Sequence, residues 1–515
     1  MSDAGFNDDF LEKELFGADS DDMDGASMDV DEIMGMNDSV AGPPGIRTRI
    51  DNTDLLDGST KKDTAEDQKD ILAQSREPKS SRPLPKLDIE MDSPPGELTI
   101  LKYPSRSPAK VADPYKECAF YDVVPTMALI NAYQIHAVSA TSNMRWIFTG
   151  GEDGYIRKWD FNSTVNGKQL LTQGQRHPYV DSVTKAGIMA SYWDHSDLVE
   201  GGVEMLSPIY SLDVHSQALW LVSGMKSGHI GLWTVRHDEG RRITLLTKHK
   251  KPVSVLKITP DEFGLVSGSW DRAVLYWDLN CGKIARGFAG HTSQISSIEF
   301  QPKEAPMQIA ARKNESDKES STNEDSKENN IGDDNGLVPF DFSTTSPVLM
   351  TTSIDGQCLL WDVRAPKTLP HHFNTPLKTP PWATSACWSV DGKRIYIGRR
   401  NNTVDEYEFG MGSQPVNTLR LPMNSGPITA VAALANGKSL ICASTDNVRM
   451  WNLDHQPDKR GAIPFQIIPG HHGGMVSNVL VDEASQYMVT TSGSRGWEGT
   501  SNNVFLGYEI NPFSQ

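Results

Sequence analysis

Val266-SGSWDRAVLY-Trp277-Asp278 is the stretch that decides the fold. A Ser/Gly-rich apolar run, a tight polar turn and a second apolar run ending in Trp-Asp describe two strands joined by a hairpin. The same arrangement recurs along the chain. It reads Phe148-TGGEDGYIRK-Trp159-Asp160, Val222-SGMKSGHIGL-Trp233, Met350-TTSIDGQCLL-Trp361-Asp362, Ile397-GRRNNTVDE-Tyr407 and Ile441-CASTDNVRM-Trp451-Asn452, with a looser last copy from Thr491 to Tyr508. Six residues before the closing aromatic stand Asp153, Ser227, Asp271, Asp355, Asn401 and Asn502; in the sixth copy Asp446 lies one residue closer. Small polar residues suit a tight turn because their side chains bond the local backbone and tolerate left-handed geometry. Seven copies in one register mean seven equivalent structural units.

These units resemble WD repeats, in which about 40–45 residues make one four-stranded blade. The resemblance implies an all-β chain, a seven-bladed WD40 β-propeller. Gly290-His291 opens the fourth unit and Gly470-His471 the last, with His136 and His249 as equivalents in the first and third. In WD repeats such a histidine bonds a strand Ser or Thr and the turn Asp, and through them the Trp. By that resemblance His249, Ser267 or Ser269, Asp271 and Trp277 form the network of the third blade. His291, Ser353 or Thr351, Asp355 and Trp361 form that of the fourth.

Spacing between closing aromatics is uneven, and the excess marks insertions at about 165–208 and 303–343. The second contains the polar run Ala311-RKNESDKESSTNEDSKENNIGDDNG and is expected to be a disordered loop. The first carries Tyr179, Val180, Val183, Ile188, Met189, Tyr192 and Trp193, too apolar for water, and is expected to pack on the blades. The chain ends soon after Tyr508, leaving the last sheet short of its outer strand. The extended segment 119–124 is placed to supply it, closing the ring and removing an exposed edge.

Residues 1–115 read as a disordered acidic region and 116–515 as the propeller. The formal net charge is −18, of which roughly −13 falls before residue 116. Within this tail Phe6-NDD-Phe10-Leu11-EKE-Leu15-Phe16 mixes bulky apolar residues with acids at spacings that line one face of a short helix. Met1 to Asp9 is acidic and lacks the apolar core of a secretory signal. No run of 18 apolar residues occurs, so no spanning helix and no membrane partner are expected. The five cysteines form no C-x-x-C pair, which fits reduced thiols and argues against a zinc site.

No nucleophile elbow, phosphate loop or zinc-protease motif is present, so catalytic residues are expected to be none, and likewise cofactor and metal. Asp-His-Ser sets recur in several units, and a set repeated per blade is structural. Adjacent histidines in extended backbone, such as His371-His372, point to opposite faces and chelate poorly. A pI near 5.2 gives no broad footprint for nucleic acid, and no direct sequence-specific binding is expected. Trp270, Arg272, Arg399 and Arg400 sit at blade turns expected on a propeller face and are candidates for contact with a protein. Trp361-Asp362-Val363-Arg364 resembles the W-D-x-R signature of substrate receptors of cullin–RING ubiquitin ligases, the alternative function.

Beyond the repeats, Met144-RWIFTGGEDGYIRKWD-Phe161, Val180-DSVTKAG-Ile188, Ser207-PIYSLDVHSQALWLVS-Gly224, Val235-RHDE-Gly240 and Pro252-VSVLK-Ile258 with Ser267-GSW-Asp271 carry a narrower likeness. They resemble the WD-repeat subunit of fungal SAGA-type transcription coactivators that engages TATA-binding protein. The likeness is close over about 118–300 and extends to the tail only in kind. It implies a nuclear adaptor without catalytic activity, whose partners are TATA-binding protein and other subunits of a SAGA-type complex, and which regulates delivery of TATA-binding protein to promoters. Phe6, Asp8, Asp9, Phe10, Leu11, Leu15 and Phe16 are then the candidate docking element.

Overall fold

In the computed structural model the described residues are 111–199, 203–302, 348–365, 369–376, 379–454, 463–471, 474–494 and 503–513. They build seven blade sheets and one separate two-stranded sheet. Blade 3 is the simplest: Val253–Ile258 innermost, then Gly264–Ser269, Val274–Asp278 and Lys283–Phe288 outermost. The second strand is buried along its whole length here, as it is in blades 4 and 6. Such strands are covered on both faces by neighbouring blades, which is why they read as unbroken apolar and small residues rather than alternation.

The core is a ring of contacts between blades. Seven hydrophobic clusters are present, one at each junction. Between blades 2 and 3, for instance, Val222, Ile230 and Leu246 meet Val253, Leu256, Leu265 and Trp277. Hydroxyl groups that donate to the next blade's carbonyl complete five of the seven junctions near the axis. Ser211 Oγ donates to the Val253 carbonyl at 2.7 Å, Ser254 to Ile295 at 2.6 Å, and Ser477 to Ile135 at 2.6 Å, while Ser296 reaches Ala383 and Thr384 reaches Ile428. In four of these donors' strands a β-bulge falls at the hydroxyl residue, turning its side chain sideways into the next blade.

Closure occurs in blade 7. Phe120–Ala128 pairs antiparallel with Phe505–Phe513, from Phe120 opposite Phe513 to Ala128 opposite Leu506. Lys185–Ala186 adds a fifth, parallel strand on the far side of Phe120–Ala128. Lys185 Nζ lies 3.0 Å from Glu509, Gly187 N donates to the Ala128 carbonyl at 2.9 Å, and Val183 is buried beneath. The segment Val180–Ile188 thus covers the Thr126–Ala128 end of an edge that would otherwise be open.

The interval 165–208 is not a single insertion. Met189–Asp194 is the outer strand of blade 1, paired with Tyr155–Asp160, so the inserted part lies between those two strands. It includes the short helices Phe161–Asn166 and Gln173–Arg176. A separate hairpin, Ser196–Val199 with Val203–Leu206, follows the outer strand. Tyr192 is 63% exposed and Met189 45% exposed, so these two apolar residues of the interval face solvent rather than the blades. Asp113–Glu117 forms a helical turn, which puts ordered chain ahead of residue 116. The expected loop 303–343 lies outside the described residues.

Candidate binding faces of the propeller

Blade 3 shows how the repeat fixes its turns. His249 Nδ1 is 3.0 Å from Asp271 and its Nε2 2.7 Å from Ser267 Oγ, while Trp277 Nε1 donates to Ser267 Oγ at 2.8 Å. Asp271 can only accept when ionised, so Nδ1 carries the proton and Nε2 accepts from the serine hydroxyl. Burial would raise the Asp271 carboxyl, but the His249 hydrogen bond and the Lys250 and Ala273 amides outweigh it and hold it below its usual range. Ser267 is fully buried, so this hydrolase-like set has no access to a substrate.

Blade 4 uses both candidate hydroxyls. His291 Nε2 is 2.7 Å from Thr351 Oγ1, Nδ1 is 2.9 Å from Ser353 Oγ, and Trp361 Nε1 donates to Thr351 at 2.8 Å. Asp355 joins through Ser353, whose hydroxyl donates to it. Burial pulls the imidazole down to about 4, so it is neutral at pH 7.

Blade 2 contains a network that the repeat register did not reveal. His195 Nε2 is 2.9 Å from Ser223 Oγ, which accepts from Trp233 Nε1 at 2.7 Å, and Nδ1 is 2.8 Å from the Ser207 carbonyl. The carboxylate comes from the hairpin: Asp197 accepts from the Ser227 hydroxyl at 2.9 Å. His195 is also held near 4 by burial. Its signal was Asp194-His195, placed outside the expected register because the hairpin separates it from its blade's inner strand.

Blades 1, 5 and 6 place an Arg–Asp pair at the corresponding strand end. Arg157 bonds Asp153. Arg449 pairs with Asp446 at 2.7 Å. In blade 5 the order is reversed: Arg399 Nε donates to Asp405 at 2.9 Å, its two other nitrogens to the Gly356 carbonyl at 2.8 Å and the Tyr407 hydroxyl at 3.1 Å. Arg399 and Asp405 are 0% and 1% exposed. Arg399, expected at a binding face, is therefore a buried internal cation and cannot meet a partner. Its neighbour Arg400 lies over the Trp382 ring at 4.2 Å.

The other turn candidates share one face. Half-buried Trp270 packs on Tyr210 of blade 2, ring centroids 5.4 Å apart, and Tyr210 stacks on His136 of blade 1 at 5.7 Å. Trp270 thus fills a crevice between blades, with part of its ring accessible beside exposed Arg272. Arg364 of the W-D-x-R stretch is held by its own Asp362, its amide at 2.9 Å and Nε at 3.3 Å from the same oxygen. The segment Val235–Gly240 latches blade 2 to blade 1: Glu239 accepts from Lys158 at 2.6 Å, and Gly240 packs flat on Trp193, where a Cβ would fall 2.6 Å from the ring. Phe6, Asp8, Asp9, Phe10, Leu11, Leu15, Phe16 and Asn502 lie outside the described residues. Among the described residues no group of His, Cys, Asp and Glu is arranged to hold a metal.

Comparison with known proteins completes the picture. The family described as SPT8 beta propeller matches residues 121–346 and 311–511. SAGA complex subunit Spt8 of Schizosaccharomyces pombe is 41% identical over 433 residues, 76% of this chain and 80% of that protein. SAGA complex subunit SPT8 of Saccharomyces cerevisiae is 34% identical, covering 76% of this chain and 72% of that protein. A guanine nucleotide-binding protein subunit beta of Oryza sativa is 20% identical over 62% of this chain.

Proposed function

This chain belongs to the SPT8 beta-propeller family, and from that premise we propose that it is a non-catalytic adaptor subunit of a SAGA-type transcription coactivator, working in the nucleus. The observation that carries the reading is the 41% identity to a SAGA subunit across 80% of that protein's length. A rigid disc with two faces and a rim suits an adaptor, because several partners can be held at once in fixed geometry. Affinity purification of the full chain is expected to bring down acetyltransferase-complex subunits. Recovery of cullin subunits in their place would overturn the reading.

The finer proposal concerns TATA-binding protein and its delivery to promoters. A protein that grips the minor groove presents a basic, partly apolar surface. The acidic segment with Phe6, Asp8, Asp9, Phe10, Leu11, Leu15 and Phe16 complements such a surface in charge and in apolar anchors. Trp270, Arg272 and Arg400 offer the opposite sign, so they are assigned to acidic partners. Steering by the tail makes association fast and salt-sensitive. Deleting residues 1–20 is expected to weaken binding of TATA-binding protein at low salt; unchanged affinity there sinks the assignment.

A further inference from the structure

Blades 2 and 3 carry a positively charged crown. The Lys226–Gly228 turn of blade 2 abuts the loop entering blade 3, since a Cβ on Gly228 would lie 2.5 Å from the His249 carbonyl and 2.9 Å from that of Lys251. Lys250 N donates to Asp271 at 3.0 Å and Trp270 N to the Pro252 carbonyl at 3.1 Å, which ties the Trp270–Arg272 turn to the same loop. Lys226, Lys248, Lys250 and Arg272 are all exposed, and among the described residues none pairs with a carboxylate. Two acids lie among them and both are spent, Asp271 on His249 and backbone amides and Asp197 on Ser227 and His229. Trp270 and Tyr210 form the apolar floor.

Arg272 adds an independent sign of use. Its φ is +73°, at the turn position where blades 1, 2 and 4 have Gly154, Gly228 and Gly356 and blade 5 has Asn402. Those residues take left-handed backbone at little cost, whereas an arginine there is strained. Strain kept at an exposed position points to work done by the side chain.

We propose that this crown binds the chain's own acidic segment, residues 6–16, with a Phe or Leu seated against Trp270. Charge complementarity selects the occupant: residues 1–20 hold Asp3, Asp8, Asp9, Glu12, Glu14 and Asp19 against one Lys13, and they supply the apolar anchors. Reach is no obstacle, because about 95 connecting residues span on the order of 300 Å when extended. Tethering also makes the contact intramolecular, with an effective concentration far above that of a free peptide. The crown then masks the tail, and a partner with a basic surface must displace it. This contact uses the segment proposed for TATA-binding protein but does not depend on that proposal.

The test uses the full chain alone, without any partner, and a zero-length carbodiimide that joins carboxylates to amines in contact. Links from Asp8, Asp9, Glu12 or Glu14 are expected to concentrate on Lys226, Lys248 and Lys250. They should fall roughly fivefold in about 0.5 M salt, where the Debye length is about 4 Å. F10A/F16A leaves every carboxylate, amine and blade in place and is expected to reduce the same links. R272G relieves the turn, so it is expected to preserve or raise thermal stability while weakening the contact. Links spread evenly over Lys283, Lys393 and Lys438 as well would overturn the proposal. So would links formed only between isotopically distinct copies, which would make a second molecule the occupant.

Discussion

Blades 2 to 4 and blades 1, 5 and 6 secure the same strand end with different chemistry. The first group uses an imidazole bonded to a strand hydroxyl that also accepts from the closing tryptophan's indole N–H. The second places a guanidinium on a carboxylate. Blade 5 shows why the replacement is needed. Ile397 stands ten residues before Tyr407, where blades 3 and 4 have Ser267 and Thr351, so no hydroxyl is available to link a histidine to the closing aromatic. Arg399 fills that gap, and its fork reaches Asp405, Tyr407 and the neighbouring blade's Gly356 at once. What the position requires is partners for its buried polar atoms, and two residue sets supply them to different degrees. Blade 5 pairs all three guanidinium nitrogens, whereas in blade 6 Arg449 Nε and Trp451 Nε1 stay without a partner among the described residues.

The comparison can be broken at its most charged member. Arg399→Ala leaves Asp405 ionised and buried, and is expected to cost about 3–5 kcal/mol, read as a lowered urea midpoint or loss of folded protein. Replacing Arg399 and Asp405 together by Leu is expected to recover most of that loss, because no stranded charge remains. In the histidine group, Ser267→Ala strips partners from both His249 and Trp277, and about 2–3 kcal/mol should be lost in the same assay.

Acid sharpens the contrast without mutation. His195 and His291 are near 4 when folded against about 6.5 when unfolded. Because folding depresses both values, their contribution is complete above about pH 6.5 and is lost as pH falls toward 4. At pH 5 the expected loss is on the order of 2 kcal/mol for each. Hydrogen exchange at pH 5 should therefore open blades 2 and 4 before blade 5, whose network has no histidine; equal loss in all three would refute the assignment. Smallest of all, Lys185→Ala removes a partly exposed pair with Glu509 and should change stability by less than about 1 kcal/mol.

Seven blades were legible because each turn residue keeps a fixed distance from its closing aromatic, and local spacing survives any insertion elsewhere. Closure by the segment near 119–124 was legible too, since a missing outer strand has few sources; the pairing runs on to Ala128. His195 was not, because a hairpin of about ten residues moved it out of register. Nor was the outer strand Met189–Asp194, displaced past two short helices. Arg399 was misplaced for another reason. Turn arginines are usually solvated, and only pairing with Asp405 from the next strand turns this one inward. That partnership is set by three-dimensional register, which spacing in the sequence does not express.

The five-stranded blade 7 has a consequence for the order in which the molecule is made. Among the described strands Phe120–Ala128 is the first to be synthesised, and its partner Phe505–Phe513 is the last. At about 5–20 residues per second, the roughly 380 intervening residues take on the order of 20–80 s to synthesise. For most of that wait the early strand would be a bare, sticky edge. Lys185–Ala186 follows it by only about 60 residues and pairs with Met127 and Ala128, so that end of the strand gains a partner within seconds. The insert that distinguishes blade 1 thus gives the end of the early strand a local partner long before its distant one is made.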